Sequence, residues 1–327
     1  MRCISKRKCR IYSVLLIICL CFTGCGISRI DNQYNLDSTN SSYIITSGAD
    51  KDGTVKSFAR DLCVSENDLN LLDLTIQEAE AAGLFDATAA ETLYAKNIHK
   101  QMNPASLTKV MTAYLALKYG HLDDTLTASS NVIITESGAQ LLGIKEGDRM
   151  SLEQALYALL LYSANDAAVM IAEYLSGSVE SFSKVMTDEA NKLGATNTNF
   201  SNPHGLTDET HYTTVYDLYL IFNAAMQYEE FRKIISTSEY KSTYKNREGN
   251  DKNIEINNTN GYINGTYTPP ENVTVIGGKT GTTNAAGSCL ILLSNSNAGH
   301  TYVSVILHSE SHETLYNNMT TLLDDIP

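Results

Sequence analysis

Basic residues and long apolar runs are both scarce in this 327-residue sequence. Lysine and arginine together number 24, against 37 aspartate and glutamate residues, and the formal net charge is -13. This excess of negative charge argues against nucleic-acid binding, because phosphate backbones are bound by basic surfaces. The apolar stretch at residues 11–22 is also shorter than the roughly 20 residues that a membrane-spanning helix needs. We therefore expect neither a nucleic-acid partner nor a helix that spans a membrane at this stretch.

Residues 1–24 have the organisation of a secretory signal peptide, in which basic residues at positions 2–10 precede the apolar stretch. The segment leads into Thr23-Gly-Cys25, which is similar to the cleavage box of bacterial lipoproteins. Cys25 is therefore the predicted site of lipid attachment, and several acyl chains on one cysteine would anchor a protein stably. We expect an extracytoplasmic protein that is anchored to the cell membrane by this lipid. Ordinary signal cleavage with release of the chain is the alternative.

Residues 25–70 are rich in Ser, Asn, Asp and Thr, a composition that predicts a flexible, lipid-attached tether. A part of this segment, such as residues 58–63, could dock on the domain that follows. Only Cys63 and Cys289 remain as cysteines outside residues 1–25. The two could form a disulfide in an oxidising compartment, or they could stay as two buried thiols.

Residues 71–327 are enough for one large hydrophobic core, and they contain no internal repeat. The pattern of apolar residues predicts a β-hairpin at 82–94, a core helix, and then a helix-rich stretch at about 120–226. Later strands are predicted near 273–281, 288–294 and 301–307, before a C-terminal helix. The predicted fold class is α/β (α+β), with one antiparallel sheet that contains the first and last strands and is flanked by helices. The helical middle would form a lobe, with a cleft where the lobe meets the sheet.

A Ser-x-x-Lys motif, Ser106-Leu-Thr-Lys109, begins a helix that the sequence predicts to be buried. Asn103 is a suitable N-cap and Pro104 suits the first helical position, which places Ser106 near the positive end of the helix dipole. Lys109 shares a helix face with Ser106 and can reach its hydroxyl. Because burial lowers the pKa of a lysine, Lys109 can serve as the general base for Ser106. The alternative is a surface lysine beside an ordinary helix-start serine.

A second motif, Ser163-Ala-Asn165, falls in a turn between two predicted helices. Ser151 and Gln154 form a capping box that begins the first helix, and the second begins near Asp166. Polar groups at a junction of buried helices must be hydrogen-bonded or must face a cavity. The alternative is that Ser163 and Asn165 merely cap the helix that follows.

A third motif, Lys279-Thr-Gly-Thr282, follows a β-rich segment that ends in Gly277 and Gly278. These two glycines allow a ligand or another backbone to approach closely, which predicts a strand edge that a peptide substrate can join. Lys279 and the Thr280 hydroxyl offer a cation and a hydrogen-bond donor to a terminal carboxylate. The alternative is a cationic edge strand that protects the sheet against aggregation.

Together, the three motifs resemble those of the penicillin-recognising serine enzymes. The flanking sequence narrows the resemblance to the low-molecular-weight D-alanyl-D-alanine carboxypeptidases, and it covers about residues 75–325. The blocks that carry it are 104–113, 160–168, 202–206 and 278–287. The resemblance implies a β-lactamase/transpeptidase-like fold. It also implies removal of the terminal D-alanine from peptidoglycan stem peptides that end in D-Ala-D-Ala, with β-lactam antibiotics as covalent inhibitors and without a cofactor or metal.

The resemblance further implies a role for each motif residue. Three residues would carry out the chemistry: Ser106 as the acylated nucleophile, Lys109 as its general base, and Ser163 as the relay of the proton to the departing amine. Four would bind the substrate: Asn165 at an amide, Lys279 and Thr280 at the terminal carboxylate, and Thr282, whose backbone N–H would form the oxyanion hole with that of Ser106. His204 lies in one of the shared blocks, where we expect a structural loop histidine.

Other functions of the same motifs stay open. A D,D-endopeptidase that cuts peptidoglycan crosslinks would use the same residues, and a non-catalytic wall-binding lipoprotein could keep the fold. A serine β-lactamase of this type would need a Glu-x-x-Leu-Asn block, which does not occur between Asn165 and Lys279. The sequence ends at Pro327 without the C-terminal β domain or amphipathic anchor of larger family members, and we expect the lipid to replace that anchor.

Two further groups of residues could in principle be functional. His308 and His312 have the spacing of a helical metal pair, but they follow a predicted strand and lack a visible third ligand. Ser106, His204 and Asp217 could form a triad, but Lys109 makes a histidine base unnecessary. Asp217 fits better in the first turn of a helix that begins at Thr213.

Overall fold

The computed structural model describes residues 59–327. The predicted signal peptide, Cys25 and residues 25–58 of the predicted tether lie outside the described residues. Within residues 59–70, Cys63 is fully buried, and its backbone N–H donates to the Tyr219 hydroxyl at 2.9 Å. The Tyr216 hydroxyl donates to the Cys63 carbonyl at 3.0 Å. Cys63, in the part of the predicted tether that could dock, therefore packs against the domain.

Seven α-helices and ten β-strands form the described part of the chain. The helices are α1 (Lys109–Tyr119), α2 (Leu152–Leu160), α3 (Asn165–Ser176), α4 (Val179–Lys192), α5 (Val215–Ala225), α6 (Glu229–Ile235) and α7 (His312–Asp324). The strands are β1 (Leu69–Asn70), β2 (Ala79–Asp86), β3 (Glu91–Lys96), β4 (Thr125–Thr127), β5 (Arg149–Ser151), β6 (Glu239–Lys245), β7 (Asp251–Asn257), β8 (Val273–Thr283), β9 (Gly287–Ser296) and β10 (Thr301–Ser309). Within residues 59–327, no helix has both the length and the apolar character to cross a membrane.

The larger sheet has the strand order β1-β3-β2-β10-β9-β8, and all neighbouring strands are antiparallel. Strand β2 pairs with β10, so that Gly83 lies opposite Val305, which confirms that the first and last strands share one sheet. Successive side chains of a strand point to opposite faces of the sheet, and each face packs against its own hydrophobic core. Ile291 of β9 belongs to the core that contains α1, whereas Leu290 packs with α7 on the other face. Strand β8, which carries the third motif, is left at one edge of the sheet.

A second sheet, with the order β4-β5-β6-β7, was not predicted. Its β6–β7 hairpin has alternating exposed and less exposed residues, and only Tyr244, Ile254 and Ile256 are fully buried. Short strands with so few apolar positions give a weak sequence signal. The predicted helix-rich stretch is confirmed in α2 to α5, but β4 and β5 lie within it.

The two cysteines of the domain are both free and buried. The Cys63 thiol donates to the Asp86 carbonyl, and the Cys289 thiol donates to the Ala286 carbonyl. Burial raises the pKa of Cys63 to about 11 and the pKa of Cys289 to about 12. Of the two predicted alternatives, the structure therefore shows the pair of buried thiols.

Candidate active site

Ser106 lies in a short 3₁₀ turn, Ala105–Thr108, that leads directly into α1. The turn begins with Ala105 at a φ of 48°, a left-handed conformation that is unfavourable for a residue with a Cβ. The Asn103 side chain stabilises this conformation by accepting the Ala105 N–H at 3.0 Å. The prediction of a regular α-helix that starts at Pro104 is therefore wrong, because a strained turn precedes the helix and presents the serine.

Lys109 is fully buried, and its Nζ has three close oxygen neighbours. Nζ lies 2.8 Å from Ser106 Oγ, 2.7 Å from Asn165 Oδ1 and 2.6 Å from the His204 carbonyl oxygen. Burial is the main reason that the pKa of Lys109 lies well below its usual range, and the positive charge of Lys279 lowers it further. This supports the prediction of a neutral amine.

A neutral amine has two N–H groups and one lone pair, which decides how these three contacts are used. The oxygens of Asn165 and His204 are carbonyl acceptors, so they take the two N–H groups. The lone pair of Lys109 then faces the Ser106 hydroxyl and can receive its proton. Lys109 Nζ thus lies within the hydrogen-bond distance of Ser106 Oγ that a general base requires.

Ser163 lies in the turn between α2 and α3, as predicted, whereas Asn165 is the first residue of α3. The capping box of Ser151 and Gln154 is present at the start of α2. The N-cap of α3 is Ala164, and no side chain caps this helix. The alternative that Ser163 or Asn165 is simply a capping residue is therefore wrong. Within residues 59–327 the Ser163 hydroxyl has no hydrogen-bond partner, and its backbone φ is 66°. Asn165 has only its oxygen engaged, with Lys109, and its Nδ2 has no acceptor in the same part of the chain.

Lys279 is the second buried lysine of the site, with 1% of its side chain exposed. Its Nζ donates to the Thr280 carbonyl at 2.8 Å, and it has no carboxylate partner among the described residues. Burial lowers the pKa of Lys279 to about 7. The Thr280 hydroxyl lies 2.6 Å from the Thr259 hydroxyl, and Thr282 is exposed on the same strand. The structure therefore brings the third motif to a sheet edge, as predicted. Its lysine, Lys279, has no carboxylate partner among the described residues.

Strand β8 and the nucleophile turn are in direct contact. A Cβ on Gly281 would lie 2.9 Å from the backbone nitrogen of Ser106, so only glycine fits at this point without displacement. Among the described residues, no acceptor takes the Ser106 N–H. This N–H is thus available to a substrate oxygen, in agreement with the role that the resemblance implies for it.

The block Asn202-Pro-His-Gly205 lies against the other side of the nucleophile turn. Its contribution is made by backbone atoms, since the His204 carbonyl accepts from Lys109 and the Pro203 carbonyl accepts from Thr112. Gly205 has a φ of 88°, and a Cβ there would lie 1.8 Å from the Ala105 carbonyl oxygen. Burial lowers the pKa of His204 to about 3, so its ring is neutral near pH 7. No sequence pattern indicates that this carbonyl belongs to the site.

Asp166 also lies beside the site, although the sequence pattern indicated only that a helix begins near it. Its carboxylate is buried and accepts the backbone N–H groups of three successive residues, Leu142, Gly143 and Ile144. The carboxylate raises the pKa of Lys109 and so opposes the effects of burial and of Lys279. Asp166 therefore fixes a loop beside the cleft and influences the charge of the predicted base.

The remaining candidates are placed elsewhere. Asp217 lies in the first turn of α5, where its carboxylate accepts from the Asn197 N–H and the Thr198 hydroxyl. His308 lies in β10 and His312 begins α7. Within residues 59–327, no group of three or more His, Cys, Asp or Glu side chains is arranged to hold a metal ion.

Comparison with known proteins matches the part of the chain that contains the three motifs. The family model described as D-alanyl-D-alanine carboxypeptidase matches residues 71–311. The D-alanyl-D-alanine carboxypeptidase DacF of Bacillus subtilis is 36% identical over 220 residues, which cover 65% of this chain and 53% of that protein. The enzyme DacC of Escherichia coli, of the same name, is 31% identical over 255 residues, which cover 75% of this chain and 60% of that protein.

The crystal structure of the Streptomyces K15 DD-transpeptidase matches this structure with a TM-score of 0.71 at 27% identity. The match covers 77% of this chain and 97% of that one, and it confirms the β-lactamase/transpeptidase-like fold. The chain spans about half to three-fifths of the length of the curated relatives that it matches. All three motifs lie inside the matched region, and the chain belongs to the D-alanyl-D-alanine carboxypeptidase family.

Proposed function

We propose that this protein is a serine-type D-Ala-D-Ala carboxypeptidase that removes the terminal D-alanine from peptidoglycan stem peptides through an acyl-enzyme on Ser106. The observation that carries the proposal is the position of the buried Lys109 amine, with two carbonyl acceptors and the Ser106 hydroxyl as its three neighbours. Membership of the family supports the same reaction.

In the proposed reaction, Ser106 Oγ attacks the carbonyl carbon of the penultimate D-alanine, and its proton passes to Lys109 Nζ. The backbone N–H groups of Ser106 and Thr282 stabilise the negative charge on the carbonyl oxygen. When the C–N bond breaks, the proton passes from Lys109 through the Ser163 hydroxyl to the departing amine, and D-alanine leaves. Water then attacks the ester carbonyl and gives a proton to the neutral Lys109. As the ester C–O bond breaks, Lys109 returns this proton to Ser106 Oγ, and the shortened peptide leaves as the free acid.

In this proposal, Lys279 supplies recognition of the substrate's free carboxylate. A buried lysine with a pKa near 7 gains its proton readily when an anion binds beside it, because the pair avoids an uncompensated buried charge. The Thr280 hydroxyl adds a hydrogen bond, and the edge of β8 pairs with the extended peptide. The free Nδ2 of Asn165 donates to the carbonyl of a substrate amide. The carboxylate of a β-lactam would be bound in the same way. The β-lactam would then acylate Ser106, which would make these antibiotics covalent inhibitors.

Transfer of the acyl group to an amine is the second candidate function, because the Streptomyces K15 structure is that of a DD-transpeptidase. Crosslink cleavage by a D,D-endopeptidase is a third. Both use the acyl-enzyme on Ser106 and differ from the carboxypeptidase in the acceptor or in the leaving group. A free carboxylate at the leaving residue distinguishes the carboxypeptidase, and Lys279 is the residue that would recognise it.

The test is the release of D-alanine from a pentapeptide that ends in D-Ala-D-Ala, compared with its C-terminally amidated analogue. We expect rapid release from the free acid, much slower reaction of the amide, and a smaller difference between them in Lys279→Gln. Losing a charged hydrogen bond in the transition state should cost about 2 to 4 kcal/mol in kcat/KM. Purified crosslinked muropeptides and an added amine acceptor are tested in parallel. Two results would overturn the carboxypeptidase assignment and leave the acyl-enzyme intact. One is cleavage of crosslinks with no release of D-alanine from the pentapeptide. The other is formation of the amide product with no hydrolysed tetrapeptide.

We also propose that the protein acts outside the cytoplasm and is anchored by lipid on Cys25. The support is the order of basic, apolar and Thr-Gly-Cys segments within residues 1–25, together with the wall substrate proposed above. In a bacterial host, the wild type should fractionate with membranes, and Cys25→Ala should not be processed by the lipoprotein route. Equal amounts of both forms in the soluble fraction, with the same mass, would exclude lipid attachment.

A further inference from the structure

His211 is a buried histidine that lies outside all three motifs and contacts the nucleophile turn. Only 2% of it is exposed, and its ring packs edge-on against Phe200. Burial lowers the pKa of His211 to about 4, so the imidazole is neutral near pH 7. A buried polar ring needs defined hydrogen-bond partners, and these partners show what His211 does.

The hydrogen bonds of His211 fix its tautomer. The Ser201 backbone N–H donates to Nδ1 at 3.1 Å, so Nδ1 is an acceptor and the ring hydrogen is on Nε2. Nε2–H therefore donates to Thr108 Oγ1 at 2.8 Å. The Thr108 hydroxyl in turn donates to the Ala105 carbonyl oxygen at 2.8 Å. Three hydrogen bonds with the same direction thus connect the Ser201 amide to the Ala105 carbonyl.

The Ala105 carbonyl and the Ser106 N–H belong to one peptide group. Because a peptide group is planar and trans, its C=O and N–H point in opposite directions, and fixing one fixes the other. Ala105 has a φ of 48°, so this peptide needs partners to stay in place. The Asn103 side chain accepts the Ala105 N–H, and Gly205 packs against the carbonyl oxygen. The Thr108 hydroxyl is a side-chain donor to that carbonyl, and it holds the direction of the C=O together with the backbone of the 3₁₀ turn.

We propose that His211 is a positioning residue for the oxyanion hole: through Thr108 it orients the Ala105–Ser106 peptide so that the Ser106 N–H points into the site. His211 itself does not touch the substrate. The inference rests on the proposed acyl-enzyme function, since it concerns the rate at which Ser106 is acylated.

Two substitutions of His211 separate its two hydrogen bonds. In His211→Gln the side-chain amide can reach Thr108 as a donor, whereas in His211→Asn the shorter side chain can only accept from Ser201. Loss of an oxyanion donor typically slows catalysis about 100- to 1000-fold, and a misdirected donor should cost less. We expect acylation by a fluorescent penicillin to slow by about 10- to 100-fold in His211→Asn and to stay within about threefold of wild type in His211→Gln.

Thr108 provides a matched pair that leaves the histidine in place. Thr108→Val removes the hydroxyl and should slow acylation by about the same factor, whereas Thr108→Ser keeps the hydroxyl and the rate. The double variant His211→Asn, Thr108→Val should be no slower than Thr108→Val alone, because both changes break the same connection. Additive losses in the double variant would contradict the proposed relay.

Stopped-flow kinetics separate positioning from general loss of structure. We expect the acylation rate constant to fall while the dissociation constant of the non-covalent penicillin complex is unchanged. The affinity for a peptide boronic acid, which forms a tetrahedral adduct on Ser106, should fall by the same factor. The proposal is overturned if His211→Asn is acylated at the wild-type rate, if only the dissociation constant changes, or if His211→Gln is equally slow. If melting curves show that His211→Asn does not fold, the Thr108 pair decides. A wild type that is not acylated at all would refute the proposed function instead.

Discussion

Replacing Lys279 by methionine should make the folded protein more stable while removing its recognition of a free carboxylate. The Lys279 side chain is 1% exposed, its Nζ donates only to the Thr280 carbonyl, and it has no acidic partner in the part of the chain that the structure describes. An amine in such a position is costly to protonate. In the proposed function, the carboxylate of the substrate supplies the missing negative charge. Methionine has a similar length and fills the space without a charge.

The size of the effect follows from the pKa of Lys279, which burial lowers from 10.5 to about 7. Between these two pH values the unfolded chain binds more protons than the folded protein, so the free energy of unfolding of the wild type rises with pH. At about 1.4 kcal/mol for each pH unit, the full penalty is about 5 kcal/mol below pH 7, and it vanishes above about pH 10.5. Because proteins relax around buried charges, we expect Lys279→Met to gain about 2 to 4 kcal/mol at pH 6.

The assay is urea unfolding of residues 26–327 of wild type and Lys279→Met at pH 6, 8 and 9.5. The stability gain of the variant should be largest at pH 6 and should shrink as the pH rises. Lys184→Met, at an exposed position of α4, is the control and should show no such dependence. A variant that is less stable than wild type at pH 6, or a gain that is the same at all three pH values, would contradict this prediction.

Three further predictions concern the nucleophile and its base. The acylation rate should rise with pH across a pKa well below that of free lysine, because only neutral Lys109 can accept the Ser106 proton; a flat profile would count against lysine as the base. Asp166→Asn should move this profile to lower pH, since the Asp166 carboxylate raises the pKa of Lys109, and an unmoved profile in a folded variant would contradict the assignment. Gly281→Ala should slow labelling by fluorescent penicillin by about tenfold or more, because a Cβ would lie 2.9 Å from the Ser106 nitrogen; an unchanged rate would show that the contact can be relieved.

The sequence predicted the elements that carry strong local signals. The capping box of Ser151 and Gln154 begins α2 where expected, because the capping hydrogen bonds are local and their residue types are diagnostic. The edge position of the Lys279 strand could also be predicted, since a run of β-favouring residues before paired glycines fits an exposed edge. That the first and last predicted strands share one antiparallel sheet followed from their apolar patterns, whereas the two-residue strand β1 at its edge was not predicted.

The parts of the site that the sequence did not predict depend on backbone atoms or on residues distant in the chain. The positive φ of Ala105 has no signature in the residue itself, because alanine normally favours a regular helix. The His204 carbonyl reaches Lys109 only through the folded loop, and its identity as a histidine is irrelevant to that contact. His211 acts on a turn that lies 103 residues away from it in the sequence, so no local pattern reveals it.

The most direct test of the central claim is intact-mass spectrometry of the folded protein after incubation with benzylpenicillin, followed by peptide mapping. We expect one added penicilloyl group on Ser106, no adduct in Ser106→Ala, and greatly slowed formation of the adduct in Lys109→Met. An unmodified wild type, or an adduct that persists in Ser106→Ala, would contradict the assignment of Ser106 as the nucleophile that Lys109 activates.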